Sequence, residues 1–263
     1  MECPEPDLQI EFVKVPEGTF IMGGEGGDDD ELPAHEVYLD TFWIGKYEVT
    51  AAQYTAFLND VGTDRDEAHI WIDTSYEGAM IQRQNGGFAH LPGLERFPAA
   101  GVTWYGARAF AGWLSSKTGL PFDLPTEAQW EKAARGKHDK RRIFPWGVRL
   151  NPDLARYKHS QPTKVGSYPE GVSPFGAFDM AGNVSEWVND WYQRDYYEHG
   201  PTRNPTGPET GERKILRGGD WSSRLIGVNF LRSANRMMMH PQVGELTMGF
   251  RLTLNMDDPA EFM

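Results

Sequence analysis

Cysteine is almost absent from this chain. Cys3 is the single cysteine among 263 residues, and one thiol cannot form an intrachain disulfide or supply a zinc site built from several cysteines. This sulfhydryl also lies at the very start of the sequence, far from the segments that carry the motifs below. Chemistry that needs two neighbouring thiolates within one chain is therefore excluded.

Long apolar runs are missing as well. No stretch approaches the roughly eighteen apolar residues of a membrane span, so we predict no such span. The first six residues lack the basic and apolar regions of a signal peptide. We expect a cytoplasmic protein if the chain is complete. If a leader has been removed, we expect an exported protein or one that is lipid-anchored at Cys3.

Basic residues are in deficit, with 26 Lys and Arg against 38 Asp and Glu and a formal net charge of -12. Nucleic-acid binding depends largely on basic side chains that displace counterions. The one local basic cluster, residues 140–142, is expected to be a solvated loop. We therefore predict a protein or small-molecule ligand as the partner, and no nucleic acid.

Turn-forming residues are abundant instead. The 29 Gly and 18 Pro are spread along the chain, which predicts a loop-rich α+β fold. We interpret residues 1–263 as one domain, because we find neither a repeat of fixed period nor a low-complexity linker. Segments 64–97 and 193–213 are expected to be surface insertions.

Three helices have clear sequence signals. The T-x-x-Q pattern at residues 50–53 and 126–129 is that of a capping box, in which each side chain bonds the other residue's backbone amide. These patterns predict helices over residues 50–59 and 126–136. Apolar residues at helical spacing predict a third helix over residues 103–119, which ends at a glycine.

Strands are predicted mainly in the first part of the chain. Residues 12–15 and 19–22 flank a Pro-Glu-Gly turn and are expected to pair as a hairpin. Residues 37–39 and 42–44 are further strand candidates. The acidic run 28–31 lacks the spacing of an EF-hand loop and is expected to be a solvated turn. The seven histidines are dispersed and show no metal-ligand spacing.

A series of motifs then follows a fixed order along nearly the whole chain. The motifs occupy residues 12–23, 33–37, 45–50, 124–131, 144–147, 179–187, 216–219 and 249–252. Together they resemble the motifs of the formylglycine-generating enzyme, or sulfatase-modifying factor, family. The resemblance implies an α+β variant of the C-type lectin fold, with a small twisted antiparallel sheet, a few helices and much irregular structure that calcium often holds in place.

The same resemblance shows which chemistry is missing. In the family's enzymes, two cysteines five positions apart, after an R-G-G-S motif, bind copper(I) and activate oxygen. Aligned from the glycine pair 218–219, these positions fall at Ser223 and Val228, and Asp220 replaces the serine of the motif. A hydroxyl and an isopropyl group cannot replace two soft thiolate ligands. We expect no copper, no formylglycine formation and no catalytic residue of that kind.

One calcium site of the family is retained. By resemblance, Asn183, the Val184 carbonyl and Glu186 would bind the ion. Calcium suits such a set because it is a hard cation that accepts about six to eight oxygens in loose geometry. The alternative is that Asn183 caps a turn and that Glu186 is buried beside a basic partner.

By resemblance, residues 218–250, the C-terminal segment, would form the binding face. Family-like framework residues alternate there with idiosyncratic ones, and a fixed scaffold that presents arbitrary side chains is typical of a binding surface. The residues that we expect to contact the ligand are Asp220, Trp221, Ser222, Ser223, Arg224, Asn229, Met237, Met239, His240, Gln242 and Glu245.

Three functions are compatible with these features. The first is a non-catalytic binding module, similar to the retroelement-diversified variable proteins on this scaffold. The second is a cysteine-independent, metal-dependent oxidoreductase that acts on a small molecule or peptide, similar to the pyoverdine-maturation members of the superfamily. In that case Met237 and Met239, on one face of a strand, would be soft ligands. The third is a structural subunit that uses the domain for assembly.

Overall fold

A computed structural model describes most of the chain. The described residues are 8, 10–62, 71–137, 142–223 and 227–256. Several residues considered above lie outside this set: Cys3, residues 140 and 141, Arg224, and two of the seven histidines, His69 and His138. The side chain of Val228 is also outside the described set.

Short strands and a few helices make up the regular structure. The strands are β1 (Phe12–Val15), β2 (Gly18–Met22), β3 (His35–Leu39), β4 (Phe42–Gly45), β5 (Ile81–Gln84), β6 (Gly87–His90), β7 (Phe122–Asp123), β8 (Ser185–Trp191), β9 (Lys214–Arg217), β10 (Met237–Met239), β11 (Met248–Phe250) and β12 (Thr253–Leu254). The helices are α1 (Ala51–Asp60), α2 (Trp104–Thr118), α3 (Glu127–Arg135) and the one-turn α4 (Tyr196–His199). None of these helices has the length and apolar character needed to cross a bilayer.

The three longer helices begin and end close to the predicted residues. At α1 and α3 the paired threonine and glutamine side chains make both capping-box hydrogen bonds. At α2 the hydroxyl of Thr103 accepts a hydrogen bond from the Gly106 amide at 3.0 Å. Gly119 ends α2 with a φ of 74°, a left-handed conformation that glycine adopts without a steric penalty. Local capping chemistry therefore sets these boundaries.

Two four-stranded sheets lie at the centre of the structure. The first has the strand order β1-β4-β12-β7 and is antiparallel. The second has the order β10-β9-β8-β11, in which β11 runs parallel to β8. Strands β2 and β3, and strands β5 and β6, form separate antiparallel pairs. This arrangement of small sheets and few helices confirms the predicted α+β class.

The predicted hairpin between residues 12–15 and 19–22 is wrong. Both segments are strands, but β1 pairs with β4, with Phe12 opposite Gly45, and β2 pairs with β3. Gly18, at the start of β2, has a φ of 125°, which glycine tolerates far better than other residues. The chain therefore leaves the first sheet at this point instead of folding back along it.

Strand β8 is not predicted by the sequence. Its residues overlap the motif that the resemblance assigns to calcium binding, and only Asn189 and Trp191 among its seven side chains are not fully buried. Burial on both faces removes the apolar and polar alternation that marks a half-exposed strand. β8 lies between β9 and β11 and forms the middle of the second sheet.

Two large apolar clusters stabilise these elements. In the larger one the rings of Tyr54, Phe57, Phe110 and Phe250 contact one another. The second surrounds Trp130 of α3, which packs against strands of both β2–β3 and the second sheet. Full burial of such side chains contributes about 1.5–3 kcal/mol each to stability. These clusters therefore fix the position of α3 next to the C-terminal segment.

The predicted surface insertions are only partly external. In the first, the β5–β6 pair contributes Ile81 and Phe88 to the larger apolar cluster. In the second, Tyr197 of α4 is 5% exposed and belongs to the cluster around α3. Each insertion therefore sends apolar side chains into the core.

Candidate functional site

Buried ion pairs connect the C-terminal segment to helix α3. Arg217 donates to Glu127 at 2.8 Å and to Glu131 at 2.7 Å. Both carboxylates belong to α3, one helical turn apart, and the three side chains are at most 1% exposed. The same guanidinium donates to the carbonyls of Ser233 and Ala234. Arg217 therefore connects α3 directly to the backbone of the segment.

Arg236 makes a second connection to the same helix. Its Nε and Nη2 donate to the two oxygens of Glu127 at 2.8 and 3.1 Å. Its Nη1 donates to the carbonyl of Asp30 at 2.8 Å, and its guanidinium lies 4.3 Å from the ring centroid of Tyr197. Bidentate geometry of this kind is the strongest that arginine and carboxylate offer. Arg236 is thus a structural anchor.

The acidic run 28–31 is only partly the solvated turn that the sequence predicts. Asp28 and Asp29 are exposed, but Glu31 is fully buried and accepts hydrogen bonds from both Nη atoms of Arg232. Nδ2 of Asn235 donates to Asp28 at 3.0 Å. We refer to the following residues as the buried ion network: Glu31, Glu127, Glu131, Arg135, Arg217, Arg232 and Arg236.

The first residues of the C-terminal segment form a turn with hydrogen bonds among its own residues. Oδ1 of Asp220 accepts from the amide and the hydroxyl of Ser222 at 2.8 and 2.6 Å. The Asp220 amide donates to Oγ of Ser223 at 3.3 Å. Asp220 and Ser223 are 7% and 6% exposed. The structure therefore places these two expected ligand contacts inside the turn. The hydroxyl of Ser223, at the aligned cysteine position, accepts a hydrogen bond from the backbone.

Trp221 is half-buried and links the two ends of the segment. Its Nε1 donates to the carbonyl of Leu246 at 3.2 Å, and its backbone amide donates to the carbonyl of Asn183 at 2.9 Å. Since both its indole and its amide have partners in the protein, Trp221 acts as part of the framework.

Four of the expected ligand contacts do project into solvent. They are Asn229, His240, Gln242 and Glu245. The last three belong to the loop that leaves β10. The carbonyl of Pro241 in this loop accepts from the Trp104 amide at 3.1 Å, and the carbonyl of Glu245 accepts from the Gly101 amide at 3.0 Å. The loop is thus held against the start of α2, while the side chains of His240, Gln242 and Glu245 face outward.

The methionines of β10 alternate between two environments. Met237 and Met239 share one face, as strand geometry predicts, and that face packs against the larger apolar cluster. Met238 points the other way and is 38% exposed. Of the three, Met238 is therefore the methionine most available to a ligand. In the described part of the chain, no three His, Cys, Asp or Glu side chains are grouped so as to hold a metal ion.

Two tyrosines extend the exposed surface beyond the C-terminal segment. Tyr76 is 41% exposed and Tyr105 is 37% exposed. Burial, with the charges of Asp73 and Glu245, raises the pKa of Tyr76. The segment before Tyr76 lies near the Glu245 loop, because the Asp73 amide donates to the Gly101 carbonyl at 2.9 Å and the Gly101 amide donates to the Glu245 carbonyl at 3.0 Å. Tyr105 lies in the first turn of α2, beside Trp104. Sequence reasoning missed both tyrosines because they come from distant parts of the chain.

Asn183 and Glu186 make close contacts within the protein. Arg251 donates to both oxygens of Glu186 at 2.6 and 2.7 Å, and Nε1 of Trp130 donates to one of them at 2.8 Å. Oδ1 of Asn183 accepts from the Thr163 amide at 2.9 Å. As arranged, these side chains do not fit a calcium ion, which would have to displace Arg251. For Glu186 the structure has the basic partner that the sequence left as the alternative, and calcium binding stays a prediction.

A further buried carboxylate lies next to this pair. Glu48 accepts from Nδ2 of Asn183 at 2.6 Å and from the Val184 amide at 3.2 Å. Burial, with the charges of Asp179 and Glu186, raises the pKa of Glu48 well above its usual value. Burial likewise raises the pKa of Asp179 to about 6. Both carboxyls therefore take up a proton at a higher pH than an exposed carboxyl does.

Known proteins match this chain over nearly its whole length. The family described as the sulfatase-modifying factor enzyme 1-like domain matches residues 4–256. The serine/threonine-protein kinase pkn1 of Chlamydia caviae is 37% identical over 250 residues, which cover 94% of this chain and 38% of that protein. The formylglycine-generating enzyme of Streptomyces coelicolor is 32% identical over 292 residues, with 93% of this chain and 89% of the enzyme covered.

The fold is shared with a solved structure as well. PvdO from Pseudomonas aeruginosa has a TM-score of 0.75 and 28% identity, over 93% of this chain and 94% of PvdO. The chain thus spans PvdO and the Streptomyces enzyme almost completely, but only 38% of the chlamydial protein. With the motifs, the whole-chain match and the fold in agreement, the chain belongs to the formylglycine-generating enzyme, or sulfatase-modifying factor, family.

Proposed function

We propose that this chain is a non-catalytic binding module on the formylglycine-generating enzyme scaffold, with a ligand that contacts the exposed side chains of the C-terminal segment. One observation carries the proposal: the segment is divided into a buried, paired framework and an exposed set of side chains. Arg217 and Arg236 are at most 6% exposed, whereas Met238, His240 and Gln242 face solvent.

Such a division favours binding on energetic grounds. Association costs less when the contacting backbone is already ordered, and the buried ion network orders this backbone from the side of α3. Tyr76 and Tyr105 add large contact areas with few rotatable bonds, as tyrosines do in many binding surfaces. The exposed side chains can therefore determine specificity without rearrangement of the scaffold.

The chemistry of the family position also supports binding over oxidation by thiols. Ser223 stands where the resemblance implies the first cysteine, and its hydroxyl accepts a backbone amide. A relative named as a kinase is covered over only 38% of its length, so domains of this type occur inside longer proteins. A domain joined to another functional unit is what we expect of a recognition module.

Display of protein fragments encoded by the source genome, followed by affinity measurement on purified fragments, tests the proposal. We expect recovered fragments to lose affinity by about tenfold or more, or about 1.4 kcal/mol, when His240, Gln242 and Glu245 are all replaced by alanine. The matched control replaces three exposed residues elsewhere with alanine: Gln84, Gln161 and Glu170. This control should leave the affinity unchanged.

The alternative is a metal-dependent oxidoreductase, and the same preparation distinguishes it. Metal analysis of the purified protein should find no stoichiometric copper or iron. A tightly held redox metal, together with turnover of a bound fragment or small molecule, would overturn the binding proposal. So would fragments that bind the triple-alanine variant and the parent protein equally well.

A further inference from the structure

Among the described strands, β10 lies at an edge of the second sheet. Its neighbour within that described sheet is β9, with Met238 opposite Ile215. Among the described residues, no backbone hydrogen bond joins Met237, Met238 or Met239 to anything other than β9. An edge of this kind presents amide and carbonyl groups that an additional strand can pair with.

A cavity lies beside this edge, on the face to which Met238 points. Its volume is about 650 Å³, and it is lined by Gly27, Asp28, Asp29, Asp30, Tyr192, Arg194, Arg236 and Met238. Met238 belongs to β10 itself, so a strand added at the edge would send alternate side chains over this cavity. The edge and the cavity therefore form one continuous surface.

The lining of the cavity has more acidic than basic side chains. The side chains of Asp28 and Asp29 are 60% and 82% exposed. Arg194 pairs with Asp29 at 3.0 Å, but Arg236 contributes no free positive charge because its guanidinium is bound to Glu127. Arg232 lies 3.9 Å from Asp28, but its guanidinium is already bound to Glu31. Asp28, Asp29 and Asp30 therefore have Arg194 as the one arginine that is not also bound to a buried glutamate in the described part of the chain. A cation that enters gains carboxylate contacts, and its aliphatic stem can pack on Met238.

We propose that β10 accepts an extended peptide as an added strand and that a lysine or arginine side chain of this peptide enters the acidic cavity. The proposal rests on the binding function above and names its ligand class. In this mode of recognition, main-chain hydrogen bonds supply affinity and pockets for alternate side chains supply specificity. The net charge of -12 on the whole chain also attracts a basic partner over distance.

Four labelled hexapeptides test the proposal in fluorescence anisotropy titrations at low ionic strength. The first alternates valine and lysine, the second has glutamate in place of lysine, and the third alternates N-methylated amides in the lysine sequence. A fourth peptide carries the N-methyl groups on the other set of amides, since the pairing register is free. We expect the lysine peptide to bind, the glutamate peptide to fail, and at least one methylated peptide to lose about tenfold or more in affinity.

Two matched charge variants locate the peptide. The double substitution Asp28→Asn and Asp29→Asn should weaken the lysine peptide by about tenfold. The control Asp153→Asn and Glu170→Gln removes two exposed carboxylates elsewhere and should change the affinity by less than about twofold. Because Asp28 also contacts Asn235, the single variant Asp29→Asn repeats the test if the double variant fails to fold.

The results that would overturn the added strand differ from those that would overturn the proposed binding function. Equal binding of the lysine and glutamate peptides, tolerance of both methylation patterns, or an equal effect of the two charge variants overturns the added strand. Failure of the lysine peptide to bind at all does so too. If genome fragments still depend on His240, Gln242 and Glu245, the binding function stands while the peptide proposal falls.

Discussion

Arg217 lies with its Nη2 atom 2.7 Å from Oε2 of Glu131, and neither side chain has measurable exposure. A pair buried to this degree is costly to break from one side, because the remaining charge has neither water nor a partner. We expect Arg217→Met to lower the free energy of unfolding by about 3–5 kcal/mol, since two carboxylates of α3 lose a donor. Urea unfolding followed by tryptophan fluorescence measures the change.

The exposed pair between Arg203 and Asp40 provides the control for that experiment. Their closest atoms are 2.6 Å apart, but the side chains are 64% and 52% exposed. Arg203→Met should therefore cost no more than about 1 kcal/mol. Similar losses for the two variants would mean that the buried ion network does not anchor the C-terminal segment as described.

Asp190 should make stability depend on pH. Burial, with the charge of Glu127, raises the pKa of Asp190 to about 7 from a reference value of 3.8. Between these values the folded protein binds more protons than the unfolded chain, so this group's contribution to stability falls as pH rises from about 4 to about 7. In Asp190→Asn this decline in stability should be absent, because the asparagine side chain does not titrate. Its side-chain oxygen can still accept a hydrogen bond from the backbone amide of Glu127.

Thermal or urea unfolding across this pH range checks the prediction for Asp190. The stability of Asp190→Asn relative to the parent protein should rise by about 1 kcal/mol or more between pH of about 4.5 and about 7.5. Asp153→Asn, at an exposed position, should show a difference that does not change with pH. A flat profile for both variants would contradict the raised pKa of Asp190.

Two glycines of α2 should respond in opposite directions to alanine. A Cβ at Gly106 would lie 2.1 Å from the carbonyl oxygen of Trp71 and 2.4 Å from the hydroxyl of Tyr54, whereas a Cβ at Gly112 meets nothing within 4 Å. We expect Gly106→Ala to cost about 1–3 kcal/mol through overpacking. Gly112→Ala should gain about 0.5–1 kcal/mol from helix propensity. Chemical denaturation of both variants measures the two changes in the free energy of unfolding. Equal changes would argue against the close approach at Gly106.

No formylglycine should form from a sulfatase-type cysteine peptide. The chain has no thiol pair at the aligned positions, and Ser223 there is bonded to the backbone. Mass spectrometry of the peptide after incubation with the protein and copper should show unchanged cysteine. The Streptomyces relative serves as the positive control. An aldehyde product that depends on this protein would refute the proposed non-catalytic function.

Calcium binding at Asn183, Val184 and Glu186 can be decided by thermal unfolding. Because Arg251 already donates to both oxygens of Glu186, we expect the same Tm in calcium chloride and in EDTA. A rise in Tm with calcium that is lost in Glu186→Gln would instead confirm the prediction from the sequence. It would also mean that the ion replaces Arg251 as the partner of Glu186.

Local signals in the sequence predicted the local features of the structure. The capping boxes of α1 and α3, and the glycine that ends α2, depend on residues three or four positions apart, so they can be recognised without the fold. Strand partners could not be predicted in the same way. The pairing of β1 with β4 depends on packing with β12 near the C-terminus, which no local turn signal reveals.

For the candidate site, the family motifs located the segment but not the orientation of its side chains. Asp220 and Ser223 are polar and were expected to contact a ligand. Both are instead buried, and they take part in hydrogen bonds within one turn. Met238 faces outward because β9 sets the register of β10. The contributions of Tyr76 and of the acidic loop depend on contacts across long sequence separations, which a motif in one segment does not contain.

The buried ion network also has a consequence for biosynthesis. Arg232 and Glu31 are 201 residues apart in sequence, and Arg251 reaches the carbonyl of Gly45 across 206 residues. Proteins dominated by such distant contacts fold slowly, because long loops must close first. While the ribosome is still translating the last quarter of the chain, Glu127 lacks both of its guanidinium partners, Arg217 and Arg236, and Glu131 has only Arg135. The C-terminal segment, which we propose as the binding surface, therefore also supplies the last buried ion pairs, and we expect a truncation there to prevent folding.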